Sequence, residues 1–212
     1  MARKKRVWFP GASYHVMSRG VRRNRIFMNE SDYIYFLEIV GNVCKKHPFT
    51  IHSVCLMSNH FHMSIQTDET ELCVIMQKIL SLYAGVFNRK YDFTGHVFEG
   101  RYTASLIEDE RHFLEVSRYI HLNPVKACVV REPGNYDYSS YRCFTSGKKR
   151  SSRRKVTRIM EELVDTSRIL SYFPGDSKEQ YRKFVEEKIN HEEHEMQIRK
   201  EMREDEQWLP WT

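Results

Sequence analysis

The chain has 212 residues, of which 41% are hydrophobic and 29% charged, the composition of an ordinary soluble globular protein with its own core. No apolar run approaches the roughly 18 residues of a transmembrane helix, and the basic N-terminus lacks the apolar stretch of a signal peptide, so we expect a cytoplasmic protein without a membrane partner. The net charge of +6 is uneven: residues 176–212 hold 7 basic and 11 acidic side chains, which leaves 27 and 17 in residues 1–175. This basic body is compatible with a polyanion partner such as nucleic acid, and equally it is explained as a solvated surface, so charge alone does not select a partner.

The first part of the chain predicts a strand, a helix and a hairpin. The stretch SYHVMSRG (13–20) favours a strand that leads into the basic turn VRRNR (21–25). Residues 32–46 repeat apolar side chains at helical spacing. Residues 49–57 are rich in strand formers and residues 61–67 alternate, with a short polar connection between them, so this region predicts a β-hairpin.

The next part predicts two helices separated by an extended segment. A helix is expected over residues 69–91, and the glycine-punctuated residues 94–107 favour an extended conformation. A third helix is predicted from the N-cap Asp109 to Asn123, where Pro124 should end it. Strands and helices mixed in this order predict an α+β fold with helices packed on an antiparallel sheet.

A basic, serine-rich run, SGKKRSSRRK, separates this core from the C-terminal part of the chain. We therefore divide the chain into a domain of residues 1–145, a basic linker of residues 146–156 and a helical C-terminal extension of residues 157–212. In the extension, a short helical segment is expected over 157–171 and a long polar helix over 177–206.

The second hairpin strand carries two histidines, His60 and His62, on either side of one phenylalanine. Side chains two apart on a strand share a face, so both imidazoles point away from the core-facing side chains of Phe61, Met63 and Ile65. Imidazole is a common metal ligand, but two histidines supply only two ligands, and such a pair on a strand more often serves surface or packing roles than a metal site. No cysteine or third histidine lies near them in sequence, which favours a hard cation over zinc.

The third helix contains RYIHLNP, in which Tyr119 and Asn123 are one turn apart. An activated tyrosine is a nucleophile toward phosphorus, and an amide oxygen suits Mg²⁺ or Mn²⁺. The chain has 12 tyrosines, and asparagine is common at helix ends before proline, so spacing alone does not select these two residues.

An ordered set of stretches resembles a known family, the REP-associated tyrosine transposases of the HUH single-tyrosine transposase superfamily. These stretches are SYHVMSRGVRRNRIF (13–27), MSNHFHMSIQT (57–67), FNRKYDFTGHVFEGRY (87–102), RYIHLNPVKA (118–127) and YDYSSY (136–141).

The resemblance implies a ferredoxin-like antiparallel sheet backed by helices for residues 1–145. It also implies that His60 and His62, completed by Asn123, bind Mg²⁺ or Mn²⁺, and that Tyr119 is the nucleophile. The substrate implied is single-stranded DNA, often beside a hairpin, with a 5′-phosphotyrosine link and a free 3′-hydroxyl as the cleavage products.

Four arginines, Arg19, Arg22, Arg23 and Arg101, are candidates for contacts with the DNA backbone, although each is also explained as a solvated charge. The leading hypothesis is a metal-dependent transposase or endonuclease acting on single-stranded DNA. The alternatives are a domesticated DNA-binding protein without strand transfer and an RNA-binding or RNA-processing relative. Whether the protein is a monomer or a homodimer, and whether Tyr119 acts in cis or in trans, stays open.

Overall fold

The computed structural model describes residues 7–145 and 154–189. Within these ranges the strands are β1 (Ser13–Arg19), β2 (Phe49–Met57), β3 (His60–Thr67) and β4 (Thr103–Leu106). The α-helices of the same ranges are α1 (Glu30–Lys46), α2 (Leu72–Tyr91), α3 (Glu110–Lys126), α4 (Tyr141–Thr145), α5 (Lys155–Leu163), α6 (Ser167–Leu170) and α7 (Ser177–Glu186).

The four strands form one antiparallel sheet in the order β2-β3-β1-β4. With α1 between β1 and β2, and α2 between β3 and β4, this is the ferredoxin-like arrangement, and the expected α+β fold class is confirmed. The predicted hairpin is β2 and β3, joined by the connection of Ser58 and Asn59.

Helices α1 and α2 pack together and cover one face of the sheet, where the ring of Phe36 contacts the rings of Phe61 and Tyr83. Helix α1 begins at a capping box, since the Asn29 side chain accepts from the first turn while the Asp32 carboxylate accepts from the Asn29 backbone. Asp32 also pairs with Lys90 of α2, which fixes the two helices to each other.

Helix α3 packs on β2 and β3 and begins at Asp109, as predicted, with the Asp109 carboxylate accepting from the His112 N–H. The prediction that Pro124 ends this helix is wrong, because the helix continues to Lys126 with the proline in its last turn. A proline this close to the end removes only one hydrogen bond of the helix, and the Pro124 carbonyl accepts from Val129, so the cost is small.

The C-terminal helices pack on the core. Side chains of α5 to α7, including Met160, Tyr181 and Val185, belong to the same buried cluster as those of the sheet. The polar helix expected over 177–206 is shorter than predicted, since α7 ends at Glu186 and residues from 190 onward lie outside the described part. Most of the predicted linker, residues 146–153, also lies outside it.

Among the described helices, none has the length and apolar character needed to cross a membrane.

Candidate active site

The face of the sheet opposite α1 and α2 carries the two predicted histidines. Strand pairing places His60 opposite Arg19 and His62 opposite Met17, so β1 and β3 present these side chains on one surface. Helix α3 crosses this surface and brings Asn123 to His60 and Tyr119 to His62. The structure therefore brings together all four residues predicted for catalysis and metal binding.

His60 lies between two amide oxygens. Its Nδ1 is 2.6 Å from Oδ1 of Asn59, and its Nε2 is 3.1 Å from Oδ1 of Asn123. Burial lowers the pKa of His60, and this effect is larger than that of the Asn123 contact, which raises the pKa. The imidazole is therefore neutral at physiological pH and carries one N–H. In the tautomer whose N–H is donated to Asn59, Nε2 turns its lone pair toward the Asn123 oxygen.

This pair of atoms fits a divalent cation. In that tautomer the two atoms are both acceptors 3.1 Å apart, and a cation bound to both would turn their repulsion into coordination. Neighbouring ligands of an octahedral ion, each at about 2.1 Å from the metal, are themselves about 3 Å apart. Asn59 would then orient the ring of His60 as the second hydrogen-bond partner of a metal-ligating histidine.

His62 supplies the second predicted ligand and has a neighbour that the sequence did not reveal. Its Nδ1 is 3.0 Å from Nε2 of His15, and the two rings are stacked. Burial, followed by the neighbouring charges of His15, His60 and Arg19, lowers the pKa of His62 to about 3, so this imidazole is neutral at physiological pH. In the tautomer whose Nδ1–H is donated to His15, Nε2 of His62 keeps its lone pair for a cation.

The ligand set is small. The described residues contain no group of three His, Cys, Asp or Glu side chains arranged to hold a metal ion. Any cation here would therefore depend on two imidazoles and the Asn123 amide, with the remaining positions taken by water or phosphate oxygens.

Tyr119 faces the imidazoles and solvent. Its side chain is 40% exposed, and its ring centroid lies 5.4 Å from that of His62 and 5.6 Å from that of His15. The Nζ of Lys126, two turns further along α3, lies 4.8 Å from the centroid of the same ring. The phenol is therefore accessible to a large substrate and lies beside the histidine pair.

The four candidate arginines cluster near one end of β1. Arg19 pairs with His60 across the neighbouring strands, and its Nε is buried without a hydrogen-bond partner in the described part of the chain. Arg22 and Arg23 are exposed and have left-handed backbones, with φ of 53° and 60°. A backbone hydrogen bond between Val21 and Val97, and another between Glu99 and Arg19, attach this loop to the one that carries the exposed Arg101.

Two residues of the site, His15 and Lys126, were missed by the sequence reasoning. The only local signal for His15 is the alternation of β1, which places it on the same face as Met17 and Arg19. Lys126 follows Asn123 by three residues and Tyr119 by seven, a helical spacing that falls beyond the predicted end at Pro124.

Comparison with known proteins finds a family by sequence and a similar fold among solved structures. Residues 9–123 match the family model described as "Transposase IS200 like". A Haemophilus influenzae protein assigned as a REP-associated tyrosine transposase is 27% identical over 124 residues, which cover 52% of this chain and 70% of that protein. The solved structure of a REP-associated tyrosine transposase bound to a REP hairpin superposes with a TM-score of 0.59 at 15% identity, covering 73% of this chain and 98% of that one.

Proposed function

The chain belongs to the IS200-like transposase family, and from this premise we propose that it cleaves and rejoins single-stranded DNA through a covalent bond between Tyr119 and a 5′-phosphate. The observation that carries the proposal is the position of the phenol. An accessible Tyr119 lies against His62, beside the His60–Asn123 pair, with every one of these side chains supplied by a single chain.

We assign the cation site of this reaction to His60, His62 and Asn123, with Mg²⁺ or Mn²⁺ as the ion. When bound, the ion would polarise a non-bridging phosphate oxygen and offset the charge that develops on it. Asn59 and His15 hold the outer nitrogens of the two imidazoles, so both rings are oriented before the ion arrives.

In the cleavage step, the Tyr119 oxygen attacks phosphorus, the new O–P bond forms and the bond from phosphorus to the 3′ oxygen breaks. The phenol proton passes to water, and the released 3′ oxygen takes a proton from water. One phosphodiester bond replaces another, so the 3′-hydroxyl of a second strand end can reverse the step without ATP.

We assign the approach of the DNA to the basic end of β1. Arg19, Arg22, Arg23 and Arg101 lie on or beside the strand end that carries the histidines, where they can neutralise phosphates of the incoming strand. Among these groups, Nε of Arg19 is the one that is buried and has no hydrogen-bond partner within the described residues. It is therefore the donor of this set that a phosphate oxygen would satisfy. The hairpin bound by the related protein of known structure supports a substrate with single-stranded DNA beside a hairpin.

The proposal is tested with labelled hairpin oligonucleotides that carry randomised single-stranded flanks, incubated with Mn²⁺ and then denatured. A covalent protein–DNA adduct is expected with the unmodified chain and is lost in Tyr119→Phe. The matched control is Tyr35→Phe, an exposed tyrosine on α1, which should leave the adduct unchanged.

Other outcomes separate the alternatives. Tight DNA binding with no adduct in any divalent ion would assign the protein to the DNA-binding proteins that have lost strand transfer. Cleavage of matched RNA in preference to DNA would assign it to RNA processing. Either result overturns the proposed reaction.

A further inference from the structure

A groove of about 540 Å³ lies next to Tyr119, between α3 and the end of α7. It is separate from the proposed cation ligands, since His60, His62 and Asn123 do not line it. Tyr119 and His15 form one side, Val116 and Leu122 add apolar surface, and Lys126 and Lys188 add positive charge. Its volume is within the range of about 300–1,000 Å³ typical of small-ligand sites.

The two remaining lining residues are engaged with each other. Arg118 pairs with Glu115, donates to the Phe184 carbonyl and stacks over the Phe184 ring. The hydrogen bond from Arg118 lowers the pKa of Glu115, and the charge of Lys188 adds to this effect. Lys126 and Lys188 are exposed, so they are the cations of the groove that a ligand can reach.

The stereochemistry of phosphoryl transfer indicates which part of the DNA would lie here. The attacking and leaving oxygens occupy opposite sides of the phosphorus, so the strand that leaves with the 3′-hydroxyl points away from Tyr119. The nucleotide on the 3′ side of the break keeps its 5′-phosphate and stays attached to the phenol. Its position is therefore beside the Tyr119 ring, where the groove opens.

We propose that this groove binds the first nucleotide on the 3′ side of the cleavage site, with its base against Val116 and Leu122 and its phosphates near Lys126 and Lys188. The proposal rests on the proposed function and adds a substrate subsite to it. It assigns the C-terminal extension a direct contact with DNA, because Lys188 follows α7.

The extension is placed well enough for this role. Helix α7 is attached to α3 by the buried hydroxyl of Tyr181, which lies 2.7 Å from Nδ1 of His121 and 3.1 Å from Oγ of Ser117. The contact between Arg118 and Phe184 fixes a second point of the same helix pair. The packing of these two helices therefore places Lys188, two residues beyond α7, on the same groove as Tyr119.

The test compares two strands of equal charge and composition, decathymidylate with a 5′-phosphate and decathymidylate with a 3′-phosphate. Binding is measured by competition with a labelled strand at fixed, low ionic strength. The 5′-phosphorylated strand mimics the nucleotide that Tyr119 would retain, and we expect it to bind about fivefold more tightly, as a charge-assisted contact predicts.

The decisive variant is Lys188→Glu, which should abolish the preference for the 5′-phosphate. Its matched control is Lys183→Glu, an exposed lysine of α7 that does not line the groove and should keep the preference. No preference in the unmodified chain, a preference that survives Lys188→Glu, or equal losses in both variants would overturn the subsite.

This result is independent of the cleavage test, because binding is measured without a divalent ion and can be repeated in Tyr119→Phe. A covalent adduct without a 5′-phosphate preference would remove the subsite and leave the proposed reaction. A preference without any adduct would remove the reaction and leave a binding site for phosphorylated strand ends.

Discussion

At the residue scale, the basic loop and the histidines are connected through Asn59. Its side-chain oxygen lies 2.6 Å from Nδ1 of His60, its side-chain amide donates to the Arg23 carbonyl, and its backbone oxygen accepts from Gly20. Gly20 makes this connection possible, because a Cβ at this position would lie 2.1 Å from the carbonyl oxygen of Asn24. The loop that carries two candidate arginines therefore closes only around a glycine.

We predict that Gly20→Ala destabilises the protein and weakens DNA binding. The backbone of Gly20 has an ordinary φ of −63°, so the clash with the loop backbone is the cause, and a cost of about 1–3 kcal/mol is expected from overpacking. Urea unfolding measures the stability, and strand competition measures the affinity.

The matched control is Gly85→Ala, on α2, where a new Cβ meets nothing within 4 Å. That change should stabilise the helix by about 0.5–1 kcal/mol, since alanine has the higher helix propensity. Equal effects of the two substitutions would show that Gly20 has no special packing role.

At the element scale, the position of α3 depends on a buried hydrogen-bond chain centred on His121. Ser140 accepts from the Val54 N–H and donates to Nε2 of His121, and Nδ1 of His121 donates to the Tyr181 hydroxyl, which donates to Ser117. The chain joins β2, α3 and α7, and each of its side chains is buried. Because Nε2 of His121 is the acceptor for the Ser140 hydroxyl, a second proton on the ring would remove that acceptor.

We predict that His121 makes the protein less stable in mild acid. Burial lowers the pKa of His121 to about 3, whereas in the unfolded chain it is near its ordinary value of 6.5. As the pH falls, the unfolded state is therefore protonated before the folded state. Below pH 6.5 the free energy of unfolding decreases by about 1.4 kcal/mol per pH unit, until the pH reaches about 3.

The measurement is urea unfolding at pH 7, 6 and 5, compared between the unmodified chain and His121→Gln. The substitution removes the titrating group. Between pH 6.5 and pH 5, the variant should therefore lose about 2 kcal/mol less of its free energy of unfolding than the unmodified chain. His15, His52, His60 and His62, whose pKa values are also lowered by burial, remain in both proteins. Identical pH profiles would rule out His121 as the cause.

At the scale of the whole molecule, one chain supplies a complete candidate site. Only three residues separate the end of β4 at Leu106 from the start of α3 at Glu110, so α3 folds back onto its own sheet. The contacts of Tyr119 with His62 and of Asn123 with His60 are then made within the chain. This arrangement favours attack in cis.

We predict that two inactive variants do not restore each other. Tyr119→Phe is mixed with the double variant His60→Ala/His62→Ala, and adduct formation is measured with hairpin oligonucleotides and Mn²⁺. No adduct is expected, because the intact tyrosine and the intact histidines lie on different chains. An adduct in the mixture would mean that two chains exchange α3 and that Tyr119 acts in trans.

A mixture of unmodified chain with either variant serves as the control and should give adduct in proportion to the unmodified fraction. The same experiment is informative at several protein concentrations, since exchange between chains would increase with concentration. The outcome would also settle whether the active form contains one chain or two.

Much of the fold could be predicted because it is encoded locally. The alternation of β3 placed His60 and His62 on one face, the spacing of α3 placed Tyr119 and Asn123 one turn apart, and Asp109 marked the start of that helix. Local patterns failed at two helix ends. Pro124 was expected to end α3 but lies in its last turn, and the polar spacing predicted a helix beyond Glu186, where α7 ends. At α3, a proline in the last turn removes only one hydrogen bond, so it does not mark the helix end.

By itself, therefore, the sequence predicted the α+β class and the pairs His60/His62 and Tyr119/Asn123 from periodicity and spacing, because these patterns depend only on neighbours along the chain. The ferredoxin-like fold and the roles proposed for these four residues followed from the family resemblance. The tertiary structure alone decided that His15 faces His62, that Lys126 lies over Tyr119 and that Lys188 lines the same groove. Those contacts depend on the register between β1 and β3 and on the docking of α7 against α3, and both join residues far apart in the chain whose pairing no local pattern records.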